Sequence, residues 1–157
     1  MVSGRTFIQN PGPTNIPDRV LRAMARPAID FGTPEFSVLL DSCLTRLNNH
    51  MGNSGPLIGY TSTGHGAWEA TVTNLFDTGA PILLCDSGHF SHRWGEMCEA
   101  HGLDVCWFET GWQRGVDPDA LRDVLSTDAG RHIEGILLAH TETSTGVTSD
   151  LQAIRTV

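Results

Sequence analysis

The chain contains no lysine. All ten of its basic residues are arginine, at positions 5, 19, 22, 26, 46, 93, 114, 122, 131 and 155, although lysine is normally among the commonest residues. A coding bias toward arginine explains most of this, but the chemical consequence holds whatever the cause. The polypeptide cannot form a lysine Schiff base with a cofactor or substrate. Positive charge is scarce in general: 10 basic residues face 18 acidic ones, for a formal net charge of -8. That balance gives no broad attraction to nucleic acid or to an anionic membrane surface, so neither is expected as a partner. No apolar run approaches the roughly 18 residues of a membrane-spanning helix. Residues 1–10 hold one arginine and no apolar stretch, so a secretory signal is not expected and the cytosol is the default address. The four cysteines, Cys43, Cys85, Cys98 and Cys106, show no CxxC pair and no zinc-ligand spacing. A disulfide framework is not expected in a cytosolic chain of this size. Cys85 and Cys106 lie in apolar runs and read as small core residues. Repeats and low-complexity segments are absent.

What is present is a chain of 157 residues, 39 % apolar, long enough for one domain with a real core. NPGPTNIP (residues 10–17) predicts an extended, turning arm, and Pro17 opens a short helix to about Met24. Thr33-Pro34-Glu35 is a second start signal. Val38, Leu39, Cys43, Leu44, Leu47 and Met51 then recur near a 3.6 period up to Gly52. After this, strands and helices alternate. Strands are expected at 56–60, 81–85, 103–108 and 133–139, and helices at 66–76, 91–101 and 118–125. A last helix opens at Ser149-Asp150 and presents Leu151, Ile154 and Val157 as the chain stops. PILLC (81–85) and GILLA (135–139) are continuous apolar runs, as strands buried on both faces require. The pattern predicts an α/β fold: a mostly parallel sheet with helices on both faces, ending as if incomplete.

In such sheets ligands bind beyond the carboxyl ends of the strands, and three loops are placed there. Thr61-Ser62-Thr63-Gly64-His65-Gly66 combines hydroxyls with glycines ahead of a helix. Backbone N–H groups and the helix dipole suit such a turn to a phosphate, while a plain capping turn is the alternative. It is not a dinucleotide fingerprint, since Glu69 stands where the third glycine belongs, and not a P-loop, which needs a lysine. Asp86-Ser87-Gly88-His89-Phe90-Ser91-His92 offers His89 and His92, but zinc needs three or four ligands and no carboxylate spacing supplies them; no metal is expected. Phe90 is either a core residue or a face for a flat ring. His140-Thr141-Glu142-Thr143-Ser144-Thr145-Gly146 sets four hydroxyls and an acid at a strand end, most simply a capping box for the next helix. No G-x-S-x-G elbow or Ser-His-Asp order suggests a hydrolase.

PGPTNIP, STGHGAWEA, SGHFSHRWGEM and HTETSTGVTSD, in this order and spacing, resemble the class V, fold-type-I aminotransferases that use pyridoxal 5′-phosphate (PLP). IPDRVLRAM, IDFGTPEF and GVDP place the resemblance in the serine–glyoxylate and alanine–glyoxylate branch. It runs from about Ile8 to Arg155 and is specific only as a combination. It implies an N-terminal arm (residues 1–17) followed by the first part of the large PLP-binding domain (18–157). The rest of that domain, with the Schiff-base lysine and the aspartate that pairs with the pyridine nitrogen, would lie beyond, as would the small C-terminal domain. The cofactor implied is PLP. Gly64 and His65, with Thr63 beside them, match the phosphate-binding turn; Phe90 matches the ring-stacking position; Thr143 matches the hydroxyl near the ring's phenolic oxygen. Gly12 matches the segment lining the substrate pocket. No catalytic residue is assigned, and the 157 residues alone are expected to be inactive. Substrates implied are serine or alanine as amino donor and glyoxylate as acceptor, in a cytoplasmic enzyme that is a homodimer at full length. Two alternatives stay open: a non-catalytic remnant or interaction module, and an α/β domain that binds a phosphate ligand unrelated to PLP.

Overall fold

The computed structural model describes Gly4 and residues 6–157, so part of the arm expected over residues 1–17 lies outside the described residues. The chain divides into two compact units, Met1–Thr61 and Ser62–Val157. The first holds α1 (Asp18–Met24) and α2 (Pro34–Met51). Pro17 occupies the cap position before α1 rather than its first turn. At α2 the local start and stop signals act as read. The Thr33 hydroxyl accepts the Phe36 N–H at 3.4 Å, Pro34 follows, and Gly52 ends the helix in the left-handed region at φ 64°. No residue of either helix is buried, and Val38, Leu47 and Met51 leave half or more of their surface in solvent.

The strand expected at 56–60 does not form; that stretch is irregular. A strand needs a ladder partner for its N–H and C=O groups, and the described residues of the first unit include no other strand.

The second unit contains α3 (Gly64–Leu75), β1 (Pro81–Asp86), α4 (His89–Ala100), β2 (Asp104–Glu109), α5 (Pro118–Leu125), β3 (Gly135–Leu138) and α6 (Leu151–Ile154), with a 3₁₀ turn at Gly130–His132. The three strands form a parallel sheet in the order β2-β1-β3, with Leu83 opposite Cys106 on one side and Ile136 on the other. The central strand β1 explains the apolar run PILLC, because both its faces are covered. Ile82 and Leu84 pack with Val72 of α3 and Cys98 of α4. Leu83 and Cys85 pack with Leu121 of α5 and Ile154 of α6. Burial pushes the Cys85 thiol up to about 12 and the Cys98 thiol up to about 11, so both are inert packing groups.

Cys106 is not a core residue. It is exposed, on the outer strand β2, where it lines an open groove with Pro81, Val124, Ala129 and Ile133. The apolar run around it misled because an edge strand is covered less completely than a central one.

Candidate functional site

Residues 61–66 turn into α3. Thr63 takes the cap position with extended backbone, but its hydroxyl accepts no bond from the helix. The N–H groups of Gly64 and His65 find no partner among the described residues, while the Gly66 N–H reaches the Thr63 carbonyl at 3.0 Å. The other helices of this unit are served differently. Asp117 accepts two N–H groups at the start of α5 and Asp150 two at the start of α6, and α4 is capped from a distance. Among the described residues, two donors at the positive end of α3, the Gly64 and His65 N–H groups, are thus left unmatched. A Cβ placed on Gly64 would meet nothing within 4 Å, so the backbone there faces open space.

Phe90, in the first turn of α4, lies over this region and not in either apolar cluster of the sheet. Its ring centroid is 6.5 Å from that of His65 and 6.3 Å from that of Trp68, and Trp68 in turn touches His65 at 4.6 Å and stacks on Trp94 at 5.5 Å. An open pair of N–H donors thus stands beside an aromatic wall, a combination suited to a phosphate carrying a flat ring.

The start of α4 is built around Glu142, which is fully buried. Its Oε2 accepts the Ser91 N–H at 2.9 Å. Its Oε1 accepts the Phe90 N–H at 3.3 Å, the Ser144 N–H at 3.0 Å and the Ser144 hydroxyl at 2.9 Å. Ser144 Oγ accepts the His89 N–H at 2.9 Å. Burial alone would raise the Glu142 carboxyl, but the donors from Ser144, Ser91 and Phe90 outweigh it and hold the group below the usual carboxylate range. The polar turn after β3 is thus no capping box for the next helix. It caps α4, and α6 is capped by Asp150. Local spacing could not reveal this, since Glu142 and Ser91 are 51 residues apart. Thr143 is exposed at the tip of the turn, between the two residues that hold α4.

Asp86, at the carboxyl end of β1, completes the surroundings. Its carboxylate meets His92 Nδ1 at 2.8 Å and accepts the Trp112 indole N–H at 2.9 Å and the Gly88 N–H at 3.3 Å. Trp112 has φ 56°, a left-handed conformation uncommon for a bulky residue, and its indole bond to Asp86 is the visible restraint on it. His92 is thus committed to a carboxylate, and among the described residues no group of three or more His, Cys, Asp or Glu is placed to hold a metal ion. Thr63, Gly64, His65, Phe90 and Thr143 all lie in the second unit, where ring contacts and the Glu142 bonds bring them into one neighbourhood. Gly12 lies in the first unit, at the Gly12–Pro13 bond.

No family model matches the chain. Among curated proteins it is 40 % identical over 146 residues to the L-aspartate–glyoxylate aminotransferase of Paracoccus denitrificans, covering 92 % of this chain and 37 % of that protein. It is 35 % identical over 153 residues to the serine–glyoxylate aminotransferase of Methylorubrum extorquens, covering 97 % of this chain and 38 % of that one. Among solved structures, an aspartate aminotransferase of subgroup IV from Thermus thermophilus superposes with a TM-score of 0.85 at 30 % identity, over 95 % of this chain and 41 % of that chain. The chain therefore spans well under half the length of the proteins it matches. In sequence and fold it is similar to part of the fold-type-I, PLP-dependent aminotransferases, glyoxylate aminotransferases among them.

Proposed function

We propose that this chain supplies the phosphate-binding and ring-stacking part of a PLP site for amino transfer to glyoxylate. The carrying observation is the start of α3, where the Gly64 and His65 N–H groups find no partner among the described residues and stand near the Phe90 ring. The donor set fits the cofactor: two open N–H groups at a helix N-terminus suit a phosphate dianion, and an aromatic face suits the pyridine. In this reading Gly64 and His65 bind the phosphate with Thr63 beside them, Phe90 covers one ring face, Thr143 offers its hydroxyl to the phenolic oxygen, and Gly12 lines the substrate pocket. When bound, PLP supplies the conjugated electron sink through which an amino acid gives up its α-proton and its nitrogen. The residues present hold and orient the cofactor. None is assigned the proton transfer, because that role belongs to a lysine and the chain has none.

The acceptor is glyoxylate, which both curated relatives share in their names, and the donor is serine. The relative with the higher identity of the two names aspartate, so aspartate is the second donor to test. We place residues 1–17 as an arm and 18–157 as the first part of a larger cofactor domain. The uncovered apolar stripe of α2, with Val38, Leu47 and Met51 exposed, supports pairing with a second copy of the chain. No helix among the described residues is long and apolar enough to cross a membrane, and a cytoplasmic location is consistent with the small-molecule substrates. The test is binding of pyridoxamine 5′-phosphate, the amine form of the cofactor, which needs no lysine. Saturable binding lost in Gly64→Asp, where a carboxylate would occupy the phosphate's place, supports the reading. Equal affinity in wild type and Gly64→Asp refutes the phosphate assignment.

A further inference from the structure

The cap of α4 does more than end a helix. A short polar residue at position 88 could cap α4 locally, as Asp117 and Asp150 cap α5 and α6. Here that position is Gly88, and the acceptor comes from the loop after β3. The glycine is required by that import: a Cβ on it would lie 2.4 Å from Glu142 Cγ and 2.7 Å from Ser144 Oγ. Thr143 sits between Glu142 and Ser144, and each of its neighbours is bonded to α4. Glu142 takes the Phe90 and Ser91 N–H groups, and Ser144 takes that of His89. The first turn of α4, which bears Phe90, and the distant turn that bears Thr143 are therefore clamped together on a single buried carboxylate.

We propose that Glu142 is a positioning residue that fixes Phe90 relative to Thr143, so that the stacking face and the hydroxyl meet the cofactor ring as one rigid surface. Glu142 does not touch the cofactor; it acts through the backbone of residues 89–91 and 144. This inference rests on the assignment of Phe90 and Thr143 to the cofactor ring. The first turn of α3, which is assigned the phosphate, receives no bond from Glu142. Loss of Glu142 should therefore affect the ring and not the phosphate, a split that loss of a merely stabilising group would not give.

The experiment titrates the full chain with pyridoxamine 5′-phosphate and, separately, with inorganic phosphate. Glu142→Gln keeps the side chain's shape but turns an amide donor toward the N–H groups it should accept. Its expected effect is about tenfold weaker binding of pyridoxamine 5′-phosphate, on the scale of a lost charge-assisted bond, with phosphate binding unchanged. Ser144→Ala, which removes one link and keeps the carboxylate, is expected to weaken pyridoxamine 5′-phosphate less, again with phosphate unchanged. It decides the question if circular dichroism shows Glu142→Gln unfolded. Equal affinities for pyridoxamine 5′-phosphate in wild type and in the folded variants overturn the positioning role, as does a parallel loss of both ligands. Failure of the wild-type chain to bind pyridoxamine 5′-phosphate overturns the cofactor reading itself and this inference with it.

Discussion

Gly88→Ala adds one methyl group at the most crowded backbone position of the candidate site. The new Cβ would lie 2.4 Å from Glu142 Cγ, 2.7 Å from Ser144 Oγ and 2.8 Å from Glu142 Cδ, all well inside van der Waals contact. Glu142 cannot swing away freely, because its carboxylate is held by the N–H groups of Phe90, Ser91 and Ser144 and by the Ser144 hydroxyl. Overpacking of this kind costs about 1–3 kcal/mol, and each buried N–H left without its acceptor adds about 1–3 kcal/mol. Taking modest values for both gives a loss of about 3 kcal/mol, a large share of the ~5–15 kcal/mol that stabilises a domain. In urea, with an m-value of about 2 kcal/mol/M, the midpoint should fall by about 1.5 M at unchanged slope. Gly64→Ala is the matched control. It makes the same exchange at the start of a helix where the Cβ meets nothing within 4 Å, and it should shift stability by about 0.5 kcal/mol or less. Equal midpoints for Gly88→Ala and Gly64→Ala would show that the Glu142 clamp is not rigid and would refute the reasoning.

Acid should loosen the same clamp. The Glu142 carboxyl lies below its ordinary value of 4.5 in the fold, so the stability it contributes is fully present above that value and is lost as pH falls through the lower folded value. The stability gap between wild type and Glu142→Gln should therefore be constant near neutrality and shrink in acid, read from urea midpoints between about pH 3 and pH 7; a gap independent of pH would contradict the charged cap. Phe90→Ala should weaken pyridoxamine 5′-phosphate by about 1–2 kcal/mol, the scale of aromatic stacking beyond buried area, measured by titration, and an unchanged affinity would remove Phe90 from the ring site. Verified 157-residue material with serine, glyoxylate and PLP should form no glycine or hydroxypyruvate above a protein-free blank, because no lysine is present to move the α-proton. Turnover well above that blank would require a lysine-independent mechanism.

Sequence reading succeeded where the cause of a feature is local. Thr33 with Pro34, Asp117 with Pro118, and Asp150 each announce a helix start within three residues, and each accepts the N–H groups that spacing assigns to it. PILLC was legible because the central strand is apolar on both faces, and the parallel α/β layering followed from the alternation of elements. Three features were not legible, all for want of a distant partner in view. Residues 56–60 carry strand-like composition, but a strand exists only with a ladder beside it. Cys106 shares its apolar run with half-buried Val105, Trp107 and Phe108, yet it stands on an outer strand facing an open groove. Glu142 announced only a polar turn, and its role appears when the fold carries it to α4. The family's motifs marked Thr63, Gly64, His65, Phe90 and Thr143, and the structure adds the buried carboxylate and the glycine that tie two of those segments together.

The most direct measurement is a crystal structure of the chain with pyridoxamine 5′-phosphate. The account predicts the phosphate within hydrogen-bond distance of the Gly64 and His65 N–H groups, one ring face on Phe90 and the phenolic oxygen toward Thr143. Density for the ligand elsewhere, with the turn before α3 empty at a saturating concentration, would contradict it.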